Sequence, residues 1–355
     1  MHITRISVTL FRTCALLIIG GLTCVQAQTA SATPASEPQA KGYYLEHPAG
    51  KAFVAEVTGE QTYPKAKLQA LLASAQKSQS ILDAISRPAE KTKTWAEYRP
   101  IFLTQDRIDQ GVAFYQQHQG TFQQAEQTFG VSRFMILAIM GVETRYGKHM
   151  GNYRVVDALA TLAFDYPPRS RFFRSELKHF LYLEQEAGID LMSAKGSYAG
   201  AMGYGQFISS SYRHYAVDFD NDGHRDLLNN PVDAIGSVAN YFKRHGWQQG
   251  RPVASLARFL GDEQQQAQLA KVISPGPKPQ KPDLTILEIE QAGLVADAEF
   301  PGQEPATAMV FEGAEGVEYW IGLQNFYVIT RYNHSPLYAM AVYQLSEELK
   351  QRLSL

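Results

Sequence analysis

The chain is nearly without cysteine: it has two in 355 residues, Cys14 and Cys24, and both fall within the first 27. Everything beyond them lacks disulfides and thiol chemistry and must be held by its apolar core, with or without a metal. Histidine is scarce as well, with nine residues and no H-x-x-x-H pair, so a catalytic zinc site has no ligand frame. No G-x-S-x-G elbow is present, and Gly203-Tyr-Gly205 follows no strand-like run. Serine-based hydrolysis and dinucleotide binding therefore lack their motifs, and no organic cofactor is expected. Positive charge is not in excess either. The formal net charge is −2, which removes the electrostatic footprint of a nucleic-acid-binding protein.

What is present begins with Arg5 and Arg12, an apolar run over 14–25, and the small-residue pattern Val25-Gln-Ala27. That order is the order of a secretory signal peptide, 1–27, cut after Ala27. The run is too short and wrongly flanked for a membrane span. Gly21-Leu22-Thr23 before Cys24 makes a poor lipobox, so a soluble periplasmic form is expected over a lipid-anchored outer-membrane form. Residues 28–41 are small, polar and proline-bearing, and read as a flexible tether.

The remainder divides by pattern. Apolar residues at helical spacing over 63–85 and 104–119 mark an N-terminal helical domain, 42–118. Between them, Trp95–Phe102 is aromatic and carries Pro100, which reads as irregular. Residues 119–250 are again mostly helical, apart from 195–207 with its four glycines and two tyrosines. Glycine at that density lets backbone approach a ligand or a helix closely. Strand-like runs at 284–289, 308–312 and 317–322 follow a proline-rich turn at 275–282, predicting a small β-rich module over 251–322. The last segment, 323–355, starts strand-like at Asn325 and becomes an amphipathic helix returning to the core. The expected fold class is mainly α (α+β).

One stretch organises the chain: Phe134-Met-Ile-Leu-Ala-Ile-Met-Gly-Val-Glu-Thr-Arg-Tyr-Gly147. Ser132 is a good N-cap and Gly147 a natural stop, which predicts a helix that is apolar on every face with Glu143 in its last turn. A carboxylate so placed either pairs with a neighbour such as Arg145 or holds its proton, and a proton held near neutral pH is a general acid.

A second motif is Asp218-Phe-Asp-Asn-Asp-Gly-His-Arg-Asp-Leu-Leu-Asn229. Alternate oxygen side chains at Asp218, Asp220 and Asp222, a glycine next, a backbone carbonyl from His224, and oxygens at Asp226 and Asn229 match the spacing of an EF-hand-like calcium loop. The last position holds Asn229 rather than a bidentate glutamate, and Asp233 can close the shell if the loop is longer. The predicted role of the ion is structural.

Glu143, the Gly/Tyr/Gln segment and the aromatic stretches together suggest a carbohydrate cleft, in which tyrosine faces stack on sugar rings. Ordinary glycosidases need a second carboxylate. Asp157, Asp165 and Glu176 are the candidates, and none is marked by its local context.

At this point the residues resemble a known family, the lytic murein transglycosylase B group, which has a lysozyme-like core. The resemblance rests on Gly141-Val-Glu-Thr-Arg-Tyr-Gly147, Asp157-Ala-Leu-Ala-Thr-Leu162, the whole of 195–207, Asp233-Ala-Ile-Gly-Ser-Val-Ala-Asn-Tyr-Phe242 and the stretch 325–338. It implies that Glu143 is the sole acid/base, first protonating the oxygen between N-acetylmuramic acid and N-acetylglucosamine. As carboxylate, it then takes the proton from the muramoyl C6 hydroxyl, which attacks C1 and leaves a 1,6-anhydro end. The same likeness implies that Ser197, Gln206, Tyr241, Tyr332 and Asn333 line the glycan cleft, with Tyr98 and Arg169 beside them. It maps the cation loop onto Asp218, Asp220, Asp222, His224 and Asp233, although 227–230 is one residue longer than the family pattern. Peptidoglycan strands are the implied partner, with cell-wall synthases as further partners; a monomer is expected. The alternatives are a lysozyme-type hydrolase and a non-catalytic glycan-binding scaffold.

Overall fold

The computed structural model describes residues 42–86, 93–273 and 281–354. The expected signal peptide and tether lie outside these residues, as does 275–280 of the proline-rich turn. Four short helices open the described chain: α1 (Tyr43–Glu46), α2 (Pro48–Gly59), α3 (Lys65–Ser74) and α4 (Gln79–Ile85). The apolar spacing over 63–85 is carried by two of them, because the backbone turns extended at Ala75 and Ser78. The segment expected to be irregular is helix α5 (Trp95–Phe102). Glu97 accepts a bond from the Thr94 amide at 3.0 Å, which starts the helix. Pro100 falls close to its end, where a missing N–H costs least cooperative structure, and Trp95 and Tyr98 bury almost completely.

Six further α-helices follow among the described residues before the larger sheet: α6 (Gln105–Phe129), α7 (Arg133–Thr144), α8 (Val155–Asp165), α9 (Ser170–Ala187), α10 (Ser209–Tyr215) and α11 (Pro231–Arg244). α6 is kinked at His118, whose φ of −123° is not helical. α7 is the axis of the core. Its residues from Phe134 to Val142 are all buried, and each enclosed Ile or Leu contributes roughly 1.5–3 kcal/mol relative to exposure. The Ser132 side chain makes no capping bond. The left-handed turn that ends α7 begins at Arg145 (φ 50°) and Tyr146 (φ 61°), two residues before the glycine expected to stop it.

A short antiparallel ladder joins β1 (Tyr153–Arg154) to β2 (Lys195–Gly196) and brings the glycine-rich segment to the start of α8. The other sheet is antiparallel throughout, with β3 (Ala254–Phe259), β4 (Leu284–Thr285), β5 (Leu294–Ala296), β6 (Pro305–Gly313) and β7 (Gly316–Gly322) in the order β4-β6-β7-β3-β5. Helices α12 (Glu263–Val272) and α13 (Ile286–Gln291) enclose a small separate core with Leu294, Ala308 and Ile321. The strand expected over 284–289 is therefore mostly helix. Thr285 accepts from the Glu288 amide at 3.2 Å while Glu288 accepts from the Thr285 amide at 2.7 Å, and this reciprocal cap turns the chain into α13. The opposite sheet face joins the main core, with Phe311 5.8 Å from the Trp95 ring.

Asn325, expected in a strand-like start, instead lies in helix α14 (Gln324–Tyr332). Its fully buried amide donates to the carbonyls of Gln248 and Arg251 at 2.9 Å each and accepts from the Gln248 amide at 2.8 Å. Those three bonds satisfy the side chain and fix α14 to the turn after α11. The last helix, α15 (Pro336–Leu353), packs against α5, α6 and α7.

Candidate active site

Glu143 is half-buried in the last turn of α7. The Tyr338 hydroxyl donates to its Oε1 at 2.5 Å. Pro336 and the Ser335 side chain, which accepts from the Tyr338 amide at 3.3 Å, set the start of α15 and with it the position of this phenol. Burial, and next the nearby Glu143 charge, push the Tyr338 hydroxyl well above the ordinary tyrosine range. It therefore keeps its proton and remains a donor. Sequence reasoning missed Tyr338 as a site residue, although it closes the motif at 325–338; the available signal was a tyrosine in the first turn of a Ser-Pro helix start.

Arg145, the neighbour that sequence offered as a partner, pairs with Asp106 on α6. The three candidate second carboxylates are also held elsewhere. Asp157 pairs with Arg154 at 3.1 Å and accepts from the Gln76 amide. Asp165 accepts from the Tyr44 hydroxyl and pairs with Lys77, both at 2.8 Å. Glu176 accepts from the Ser210 amide at 2.9 Å at the start of α10. Each carboxylate thereby ties its helix to another part of the frame: Asp157 through the Gln76 amide, Asp165 through Tyr44 and Lys77, and Glu176 through Ser210.

The glycine-rich segment is tied to both ends of the site. Thr144 donates to the Tyr204 carbonyl at 2.8 Å, and the Tyr332 hydroxyl donates to the Gly205 carbonyl at 2.6 Å. Gly147 (φ 88°) permits the approach, since a Cβ there would lie 2.2 Å from the Tyr204 ring. Tyr332 stands 4.7 Å from Tyr241, ring to ring. Desolvation first, and the Glu143 charge second, raise the Tyr332 hydroxyl far above its usual range, which puts that phenol within the electrostatic reach of Glu143.

The other sequence-predicted residues fall out as follows. Ser197 accepts from the amides of Ala199 and Ala201, which leaves its own hydroxyl proton available. Gln206, at φ 50°, uses its Nε2 on the carbonyls of Met150 and Gly203, both at 3.0 Å. Asn333 is half-buried directly after α14, with its side-chain amide in no hydrogen bond among the described residues. Tyr98 is 2% exposed and influences Tyr338 electrostatically, so it is enclosed and offers almost no ring face to solvent. Arg169 lies on an exposed turn over the rings of Phe172 and Phe173; its observed contacts do not reach Glu143.

In the predicted cation loop, one carboxylate oxygen from each of Asp218, Asp220 and Asp222 lies within 4.8 Å of the others. Oxygens brought so close repel each other unless a cation lies between them. Asp226 instead accepts from the amides of Leu228 and Asn229, both at 2.9 Å, and Asn229 donates back to it at 3.0 Å, so these two close the turn. Asp233 is fully buried below the loop and accepts from the Phe219 amide at 2.7 Å and the Asp226 amide at 2.8 Å. It braces both ends of the loop, and the donor set fits a hard cation.

The family described as "Transglycosylase SLT domain" matches residues 46–347. The chain is 39% identical over 341 residues to membrane-bound lytic murein transglycosylase B of Escherichia coli (strain K12), with 91% of each chain covered. Among solved structures, the soluble lytic transglycosylase SltB1 from Pseudomonas aeruginosa is 48% identical with a TM-score of 0.79, over 86% of this chain and 99% of that one. The Escherichia coli lytic transglycosylase Slt35 in complex with calcium is 39% identical with a TM-score of 0.79, over 89% and 97%. SltB3 from Pseudomonas aeruginosa in complex with NAG-NAM-pentapeptide is 30% identical with a TM-score of 0.73, over 84% and 78%.

Proposed function

The chain belongs to the transglycosylase SLT domain family and is a peptidoglycan-cleaving lytic transglycosylase of lysozyme-like, mainly α fold, and we propose that Glu143 is its single acid/base. The observation that carries this is the position of Glu143 at the edge of a tyrosine-lined site, in a bond from a phenol that stays protonated, while Asp157, Asp165 and Glu176 are engaged in the frame. Protonated Glu143 donates to the glycosidic oxygen between N-acetylmuramic acid and N-acetylglucosamine, and the bond from C1 to that oxygen breaks. The carboxylate so formed, held by Tyr338, removes the proton of the muramoyl C6 hydroxyl as that oxygen bonds to C1. The ring closes as a 1,6-anhydro sugar, Glu143 regains its proton, and no water enters. A second carboxylate has no step to perform, unlike in ordinary glycosidases.

In this scheme Tyr241 and Tyr332 wall the glycan cleft. Ser197 donates its free proton, Gln206 presents its amide oxygen, and Asn333 offers its amide to sugar hydroxyl or acetamido groups. Tyr98 acts through Tyr338, and Arg169 serves the outer rim. Calcium at Asp218, Asp220, Asp222, the His224 carbonyl and Asp233 braces the loop before α11 in a structural role, in line with the calcium complex of Slt35. The helical domain 42–118, core 119–250, β module 251–322 and returning segment 323–355 act together on glycan strands. A signal peptide places the enzyme in the periplasm as a monomer able to work beside cell-wall synthases.

The test is Glu143→Gln. Loss of a general acid costs roughly 10²–10⁴-fold, so release of soluble muropeptides from purified sacculi should fall by that order with the melting temperature maintained. Wild-type turnover in this variant would sink the assignment.

A further inference from the structure

A cleft of about 480 Å³ opens between α10, α11 and the C-terminal end of α14. One wall is aromatic: Tyr241 stacks on His245 at 4.0 Å, and Tyr215 lies 4.8 Å from Tyr241 and 5.0 Å from His245. The other residues that line it are Arg331, His334, His214, Ser210 and Ser211; burial lowers the His334 ring, which leaves it neutral, and Arg331 is the cation of the cleft. No carboxylate lines the cleft. Arg331 donates to the Tyr327 hydroxyl at 2.9 Å and to His334, and its Nε is buried with no partner. With Nδ1 of His334 accepting from Arg331, the neutral ring carries its proton on Nε2, so the arginine and the histidine both offer N–H groups. Glu176, which His214 influences electrostatically, is held at the start of α10 by the amide and the side chain of Ser210.

The cleft adjoins the site of Glu143 through one ring. Tyr241 forms part of its wall, touches Tyr332 on the other side, and donates to the Arg331 carbonyl at 2.5 Å. A strand seated over Glu143 therefore meets a second compartment, carrying Arg331, beyond the Tyr332–Tyr241 ring pair. Sugar rings carry hydroxyl and acetamido groups, which do not call for a guanidinium. The peptide attached to the muramoyl sugar carries carboxylates, which do.

We propose that this cleft is the binding site for the anionic peptide stem of the glycan strand, with Arg331 and His334 donating to a stem carboxylate and Ser211 to its flank. This rests on the assignment of peptidoglycan as the strand at Glu143. Sequence gives no hint of it, because α10, α11 and α14 supply the residues from separate parts of the chain.

The full chain carrying Glu143→Gln, which does not consume its ligands, is titrated calorimetrically with NAG-NAM-pentapeptide and with NAG-NAM whose lactyl carboxyl is capped as the methylamide, so that the control carries no carboxylate. The pentapeptide compound should bind about tenfold tighter, as one charge-assisted bond allows, and Arg331→Gln should bring the ratio to within about twofold. Ser211→Asp, which introduces a like charge and leaves Arg331 in place, should reduce the same ratio and guards against a misfolded Arg331 variant. Equal binding of the two ligands by the parent, or a ratio that survives both substitutions, overturns the stem site alone. Binding of neither ligand strikes the assignment of peptidoglycan itself, as does absence of muropeptide release by the unsubstituted chain.

Discussion

Replacing Tyr338 by phenylalanine removes one oxygen and leaves the ring that fills the space between α15 and α7. The lost bond is the 2.5 Å donation to Glu143 Oε1. A hydrogen bond to a charged group is worth about 1.5–3 kcal/mol, and it favours the carboxylate form over the acid. Without it the acid holds its proton more firmly, by roughly one to two pH units at 1.36 kcal/mol per unit. The profile of kcat/KM against pH reports the free enzyme, and its alkaline limb marks the loss of the proton that Glu143 must donate. That limb should move upward by about one to two units in Tyr338→Phe, measured as muropeptide release from sacculi across the pH range. The turnover number should fall as well, because the carboxylate formed in the first step loses its donor. An unmoved limb, or one displaced downward, would refute the coupling of Tyr338 to the acid. Unchanged melting temperature with a moved limb separates this effect from a packing defect.

Other substitutions probe the frame. Gly147→Ala sets a side chain at φ 88° with its Cβ 2.2 Å from the Tyr204 ring, so stability should fall by about 1 kcal/mol from backbone conformation alone, with more from the clash; a denaturation midpoint equal to the parent's would contradict the close approach. Calcium at about 100 times its dissociation constant should raise stability by about 2.7 kcal/mol, a chelator should reverse the rise, and Asp220→Ala should abolish it; a melting temperature indifferent to chelator and calcium counts against the site. Burial raises the Glu176 carboxyl, with the Ser210 amide only partly opposing. Its protonated form thus stabilises the fold below the ordinary value of 4.5, and that contribution is lost as pH rises through the higher folded value. Relative to the parent, Glu176→Gln should therefore gain melting temperature as pH rises from the ordinary 4.5 through the raised folded value, and a constant difference would show that Glu176 is not strained by burial.

The helix at the centre was legible because a run apolar on all faces has few solutions, and Glu143 was legible as the one carboxylate within it. The cation loop was legible because alternate aspartates before a glycine have a local geometry. Local signals failed where two patterns competed. In 284–289 the β-branched residues suggested a strand, but the reciprocal Thr285–Glu288 cap won. In Trp95–Phe102 a proline suggested irregularity, but it sits late enough in a short, well-buried helix to be tolerated. Arg145, two residues from Glu143, turns away to Asp106 because its own backbone enters the left-handed region. What joins Tyr338 to Glu143, or His214 and His245 to Arg331, is tertiary packing of α7, α10, α11, α14 and α15, and no local pattern encodes that.

The most direct test of a single acid/base with an internal nucleophile is to digest purified peptidoglycan with the wild-type chain in ¹⁸O-water and weigh the muropeptides. Glu143 in both proton-transfer roles predicts 1,6-anhydromuramoyl ends, each lighter than a reducing end by one water and free of ¹⁸O. Reducing-end muramic acid carrying ¹⁸O would mean that water attacks C1, and would make the chain a hydrolase instead.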